Sequence, residues 1–444
     1  MNLQLGQAWA RVRDSFWFLP AMMTLGSMAL AELVVNIDER FEVNDLDGLG
    51  WLYGGSAEGA RAMLAAIAGS LIGVAGTVFS ITIAALSLAS NQMGPRLLEH
   101  FTRDRGNQAA LGTFIGTFTF ALLVLRTVRS TENEFVPHLA VTLGLVLTLS
   151  SLGVLIYFIH HISSGINVSR VIQLVSQDLE RSISRHFVAR SAQQTADRRD
   201  ESLPQDFDER ATILRAEHGG YLQTVDVGAL LKLSVRHDVI VRLLVRPGSF
   251  VFHGAPIAQI YPQAVARDEL LQTLVVGTRR TSPQDVELAV RQLVEVAVRA
   301  LSPGINDPFT VLTVLDHLGN ALCRVAEKVP PPAVHFCNRK IRVVIPVTDF
   351  DGLTDAMFHQ IRQNGASHPA VMIRLLEVLA VAIEQFGDSR EQSTLHRHAS
   401  LARTAGMQGA QLSADQHDIE ERYTRFLAAL NQASASRGPR KQAR

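Results

Sequence analysis

Cysteine is nearly missing from this chain. Of 444 residues only Cys323 and Cys337 carry thiols, and they form no CxxC pair. That pattern offers no disulfide framework and reads as two ordinary thiols in a reducing compartment. An excess charge of either sign is missing too. Lys plus Arg and Asp plus Glu each number 42, so nothing global points to nucleic acid or another highly charged partner. The short motifs of catalysis are also lacking: no Walker A loop, GxGxxG, HExxH or GxSxG, and no paired carboxylates with a histidine at helical spacing. These gaps weigh against an enzyme, and they leave no catalytic residue, cofactor or metal to name.

What the chain does have is long apolar runs, confined to one end. Mean hydropathy is only +0.14, but the average conceals two halves. Apolar runs dominate from Phe16 to Ile162, whereas charges recur every few residues beyond Arg170. About 20 apolar residues in a helix cross a hydrocarbon core of about 30 Å. Four stretches qualify: Phe16 to Ile37, Met63 to Ala89, Ala109 to Leu125 and Leu139 to Ile159. The third is short unless it runs past a snorkelling Arg126, and the second is long enough to tilt or project.

Arginine placement orients the spans. Arg11 and Arg13 precede the first, and Arg96, Arg103 and Arg105 separate the second from the third. The loop after the first span is acidic, with Asp38, Glu39, Glu42, Asp45, Asp47 and Glu58 against Arg40 and Arg61. Arg126 and Arg129 in the third loop weaken this pattern without reversing it. Both ends inside is the best solution, which makes the large domain after the spans cytoplasmic. A cleavable secretory signal ending at Ala29-Leu30-Ala31 is the alternative for the first span. Against it, Leu33, Val34 and Val35 resume the apolar run.

The second span repeats small and polar residues at three- and four-residue steps: Gly69, Gly73, Gly76, Thr77, Ser80, Ala84, Ser87 and Asn91. One helical face results, suited either to a close helix–helix seam or to lining a water-filled path. No charge lies deep in any span, which argues against a proton relay. Glu32, His160 and His161 fall near span ends, as interfacial residues do.

The remainder divides by pattern. Residues 1–165 read as the membrane domain and 166–210 as an amphipathic helix continuing the fourth span, then a polar linker. Residues 211–265 read as a β-rich subdomain, 266–430 as a mainly helical one and 431–444 as a disordered basic tail. In the β region, Thr212 to Ala216 and Tyr221 to Val225 flank Gly219-Gly220 as strands, and Val227 to His237 reads as a short helix. Arg246 to Ile260 has the turn–strand–turn–strand pattern of half a lipoyl- or biotinyl-type hammerhead, without a lysine to carry a cofactor. The fold class expected is therefore a membrane domain of four α-helices joined to a cytoplasmic α+β domain.

One further motif stands out, Leu301 to Thr310, LSPGINDPFT. Asp307 is a natural N-cap and Pro308 a natural first helical residue. Asn306, Asp307 and Thr310 also make a candidate polar cluster for an anion or other ligand at a helix N-terminus.

Five strings together, Asp14 to Pro20, Ala75 to Thr82, Arg105 to Gln108, Tyr157 to His161 and Leu301 to Thr310, resemble a bacterial family of predicted membrane proteins known as a domain of unknown function. The likeness runs from about Arg11 to Leu401. It implies a bacterial cytoplasmic membrane protein and supplies neither substrate nor catalytic residues. The expected partners are the bilayer and further copies of the chain, with a small molecule or ion left open. The reading that follows is an oligomeric channel- or transport-type protein controlled by its cytoplasmic domain. A membrane-anchored sensor or scaffold is the alternative, and a membrane enzyme using Asn306 and Asp307 a third.

Overall fold

The computed structural model describes residues 13, 15–40, 52–93, 104–129, 135–165, 167–189, 202–262, 267–280, 284–386 and 388–435, without the side chains of 89–93, 164 and 165. The chain forms two compact units, Met1–Asn167 and Val168–Arg444.

The first unit holds four helices, α1 (Phe18–Arg40), α2 (Ala57–Met93), α3 (Arg105–Thr127) and α4 (His138–Gly165), each long and apolar enough to cross a membrane. Their surfaces are apolar where α-helices of soluble proteins are polar: Leu25, Leu33, Ile72, Leu149, Leu152 and Ile156 are all exposed. Such a surface is stable only against other apolar matter. The third helix is the centre of the unit, with 56% of its most apolar window buried against 17–22% for the others. Phe114, Phe120 and Val124 of α3 join Leu64, Ala140 and Phe158 in the core. α3 starts a turn before its apolar run, ends two residues after it and leaves Arg126 exposed in its last turn.

Two features hold this unit together. Gly112 and Gly116 lie one turn apart on α3, and a side chain at either would meet α1: a Cβ at Gly112 would stand 2.6 Å from Met23 Sδ, and one at Gly116 2.6 Å from Ser27 Oγ. Small residues at this spacing let two backbones approach. At the other end of α1, Asp38 is 5% exposed and accepts the Leu139 and Ala140 N–H groups at 3.0 and 2.9 Å. Asp38, a loop charge by its place in the sequence, instead meets the unpaired donors at the start of α4. Arg11, Glu42, Asp45, Asp47, Arg96 and Arg103 lie outside the described residues.

The second unit opens with α5 (Val168–His186). Its apolar stripe, Val171, Val175, Leu179 and Ile183, is buried against α9 (Val286–Ala300) and α10 (Pro308–Ala326). Next come β1 (Val188–Ala189), α6 (Phe207–Arg210), β2 (Thr212–Arg215), β3 (Gly220–Val225), α7 (Val227–Arg236), β4 (Ile240–Leu243), β5 (Phe250–Val251), β6 (Pro256–Tyr261), α8 (Arg267–Leu271) and β7 (Leu274–Gly277). After α10 follow β8 (Lys328–Val329), β9 (Val334–Cys337) and β10 (Lys340–Val344). The chain then forms α11 (Phe350–Gly365), α12 (Pro369–Ile383), α13 (Ser389–Gly409) and α14 (Ser413–Ala435).

The strands make a five-stranded sheet, β2-β6-β4-β10-β9, a three-stranded sheet, β5-β3-β7, and the pair β1-β8. The Gly219-Gly220 turn therefore does not close a hairpin. β2 pairs with β6 and β3 with β5 and β7, so the glycines pass the chain between two sheets. β10 inserts parallel beside β4 from about 100 residues downstream, a long-range pairing that no local pattern announces. The last helix runs to Ala435, and residues 436–444 with their arginines lie outside the described residues.

Candidate functional site

The small-residue face of α2 is the first candidate. Gly69, Gly73, Gly76, Thr77, Ser80, Ala84 and Ser87 are all exposed, and the Asn91 side chain lies outside the described residues. A Cβ built on Gly69, Gly73 or Gly76 meets nothing within 4 Å. The opposite face, Leu64, Leu71, Ala75 and Val78, is the one buried inside the unit. Among the described residues the close seam is thus Gly112–Gly116 on α3, and no described helix lies against the α2 face. The hydroxyls are internally satisfied: Thr77 Oγ1 donates to Gly73 O at 3.1 Å and Ser80 Oγ to Gly76 O at 2.9 Å. Such back-bonding lets a hydroxyl sit in an apolar medium, while its oxygen lone pairs stay available.

A second cluster joins the start of α3 to the end of α4. Asp104 caps α3, accepting the Gly106 N–H at 2.8 Å, and its other oxygen lies 2.7 Å from His161 Nε2. Tyr157 stacks on His161, with ring centroids 5.3 Å apart. A Cβ on Gly106 would stand 2.8 Å from His161 Nε2 and 2.9 Å from the Tyr157 hydroxyl. Glycine is what lets these rings reach the helix start. Beside them Asn107 is 6% exposed, with Oδ1 buried and unpaired.

The Asn306–Asp307–Thr310 cluster forms at the start of α10. Asp307 accepts the Thr310 N–H at 3.2 Å and the Thr310 hydroxyl at 2.6 Å, and Pro308 occupies the first turn. Both carboxylate oxygens are thereby engaged in capping. Asn306 takes a left-handed backbone (φ 49°) and its Oδ1 lies 3.2 Å from His368 Nε2, at the cap of α12. Replacing Asp307 by Ser is expected to leave thermal stability nearly unchanged, and replacing it by Ala to cost about 1 kcal/mol. Loss of function in Asp307→Ser at unchanged stability would assign the carboxylate a ligand.

A fourth group has no signature in the sequence. Glu287, 2% exposed, lies 2.5 Å from Arg246, 3.4 Å from Arg280 and 3.2 Å from Arg291. Asp285, also buried, takes Arg280 at 2.6 Å. Gly248, in the turn before β5, has φ 88°, and any side chain there would collide with the Asp285 carboxylate. Burial opposes the charge on Glu287, yet the Arg246 and Arg291 guanidiniums outweigh it and hold its carboxyl below the usual range. Arg246 also lines a mainly apolar cavity of 180 Å³ with Pro247, Gln284, His335, Pro346 and Thr348. Burial lowers the His335 pKa, keeping that wall neutral.

Two of the paired elements in the second cluster, Arg105 to Gln108 and Tyr157 to His161, are also strings that carry the family likeness. The profile described as "Predicted membrane protein (DUF2254)" matches residues 13–381. The chain belongs to this family. Members in Mycobacterium tuberculosis (strain H37Rv) and Mycobacterium bovis are each 31% identical over 404 residues, covering 88% of this chain and 76% of theirs, and both bear the name uncharacterized protein. No solved structure matches. The DUF2254 match spans all four apolar helices, the three sheets and α9 to α11, and ends within α12.

Proposed function

We propose that this DUF2254 protein is a multi-pass inner-membrane protein, with both termini cytoplasmic, that assembles from several copies around α2 and conducts a small solute or ion. The observation that carries this reading is the uncovered α2 face. Seven small or hydroxyl-bearing residues line one side of a 37-residue helix, and among the described residues no helix covers them. At 1.5 Å per residue that helix is about 55 Å long, well beyond one hydrocarbon core of about 30 Å. Because α3, the most buried of the four helices, fills the centre of the described unit, the path is placed between copies. The second unit is the regulatory element, and its Arg246 to Ile260 segment serves there as a hammerhead-like scaffold rather than a carrier.

Orientation is tested by reporter fusions. Those after Asn44 and Glu132 are expected to read outside and those after Asn107 and Arg190 inside. An inside signal at Asn44 with an outside one at Arg190 would overturn it. Conduction is tested with single cysteines, after replacing Cys323 and Cys337 by Ser. Only a thiol facing water ionises enough to react quickly with a charged, impermeant reagent. Ser80→Cys and Ser87→Cys are expected to label in the assembled protein, whereas Ile81→Cys and Leu88→Cys are not. Silence at Ser80 and Ser87 in an oligomer would leave a seam, and a monomeric mass in detergent would end the inter-copy path.

The second reading, a membrane-anchored sensor, is favoured by the 180 Å³ cavity beside Arg246. Arg246, which pairs with Glu287, brings a guanidinium to its wall. A small acidic molecule is the ligand such a wall would take. Isothermal titration against carboxylate-bearing metabolites, with and without Arg246→Gln, distinguishes this reading from conduction alone.

A further inference from the structure

In the second unit α11 packs on α13, and their contact gathers three side chains of metal-ligating chemistry. Asp355 and His359 stand at i and i+4 on α11, hence on one face, and His398 comes from α13. Their ligand atoms all lie within 4.8 Å of one another. Asp355 Oδ1 is 3.0 Å from His398 Nε2 and 3.3 Å from His359 Nε2. Two ligands held about 2.0–2.1 Å from one ion stand roughly 2.9–3.4 Å apart at octahedral or tetrahedral angles. Both separations match that requirement.

The buried histidine supplies an independent observation. His398 is 1% exposed, and its Nε2 has no hydrogen-bond partner. Asp355 Oδ1 is near enough, but it lies off the direction in which a ring N–H would donate. A buried polar atom without a partner costs about 1–3 kcal/mol, and buried imidazoles are ordinarily satisfied. A metal ion between the three groups would accept that lone pair.

Arg397 competes for the same place. Its guanidinium donates to Asp355 Oδ1 at 2.6 Å and lies 3.5 Å from His359 Nε2. The side chain is 43% exposed, so it can leave for water at little cost. Its positive charge marks where a cation is favoured. We propose that Asp355, His359 and His398 bind one first-row divalent transition-metal ion, zinc being the ion that two imidazoles and a carboxylate with open positions suit, and that Arg397 is the group the ion displaces. Binding ties α11 to α13.

The test uses the full chain in detergent, stripped with chelator and titrated with Zn²⁺ and, as a spectroscopic probe, Co²⁺. One strong site per chain is expected, with visible Co²⁺ bands and a higher melting temperature in the presence of the ion. His359→Ala, at a half-exposed position, is expected to weaken binding by at least about tenfold and remove the bands. Arg397→Gln is expected to tighten binding, because it removes the competing cation and keeps all three ligands. Asp355→Asn gives the same reading as His359→Ala should the latter fail to fold. Absence of a strong site in both wild type and Arg397→Gln would overturn the proposal. So would equal affinity in wild type and His359→Ala, which would place the ion elsewhere among the chain's 15 histidines.

Discussion

Glu287→Ala is expected to cost about 3–5 kcal/mol, the cost of breaking a buried ion pair by removing one partner. The reason is the number of charges that lose their counter-ion. Arg246 and Arg291 both depend on the Glu287 carboxylate, whereas Arg280 keeps Asp285. The apparent melting temperature of the second unit should fall by roughly 10 °C, measured by circular dichroism of the full chain in detergent. Glu287→Gln keeps the shape and loses the charge, so a smaller fall is expected. The pH dependence follows from the same geometry. Because the folded carboxyl titrates below its unfolded value, its contribution is present above the unfolded glutamate pKa of about 4.3. It is lost as pH falls through the lower folded value. Wild type should therefore lose stability more steeply in acid than Glu287→Gln. Equal melting temperatures for wild type and Glu287→Ala would show that the arginines find other partners.

Two glycine substitutions, identical in chemistry, should fail in different ways. Gly112→Leu places a side chain where a Cβ alone would meet Met23 Sδ and stand 3.1 Å from the Pro20 backbone. The sulfur can move, but the backbone cannot, so α1 and α3 must separate. Overpacking of this kind costs about 1–3 kcal/mol, occasionally more, and the expected result is loss of folded protein in the membrane. Gly73→Leu has no neighbour within 4 Å of its Cβ among the described residues, and leucine is the better helix former by about 0.8 kcal/mol or slightly less. The unit should fold normally, and any loss must come from between copies. Normal expression with a monomeric mass is the result expected for Gly73→Leu. An intact oligomer in Gly73→Leu would mean that the α2 face meets lipid, and the inter-copy path would have to be abandoned.

The parts legible in the sequence are those whose physical cause is local. Four apolar runs become four helices because a segment apolar enough to lie in hydrocarbon must satisfy its own backbone. Capping is also local: Asp307 with Pro308 starts α10, and Ser367-His368-Pro369 separates α11 from α12, as turn and proline chemistry require. The Gly112–Gly116 seam was open to the same reading, since its four-residue spacing is a recognised packing signal. The small-residue rhythm of α2 stands out more in the sequence because it is longer, although its face is uncovered among the described residues.

Other features depend on groups far apart in the chain. Asp38 looks like one more outer-loop acid until the start of α4 comes within 3.0 Å of it. Asp104 and His161 are 57 residues apart, and Asp355 and His398 stand on different helices. Nothing in the pattern near Glu287 announces an arginine 41 positions earlier. β10 sits beside β4 by a pairing that no local alternation predicts. Sequence periodicity determined which face of each helix is apolar, because that depends on neighbours within two turns. Which charges were buried together, which glycines carried contact and which face remained uncovered were decided only by tertiary packing, because those depend on which distant element arrives.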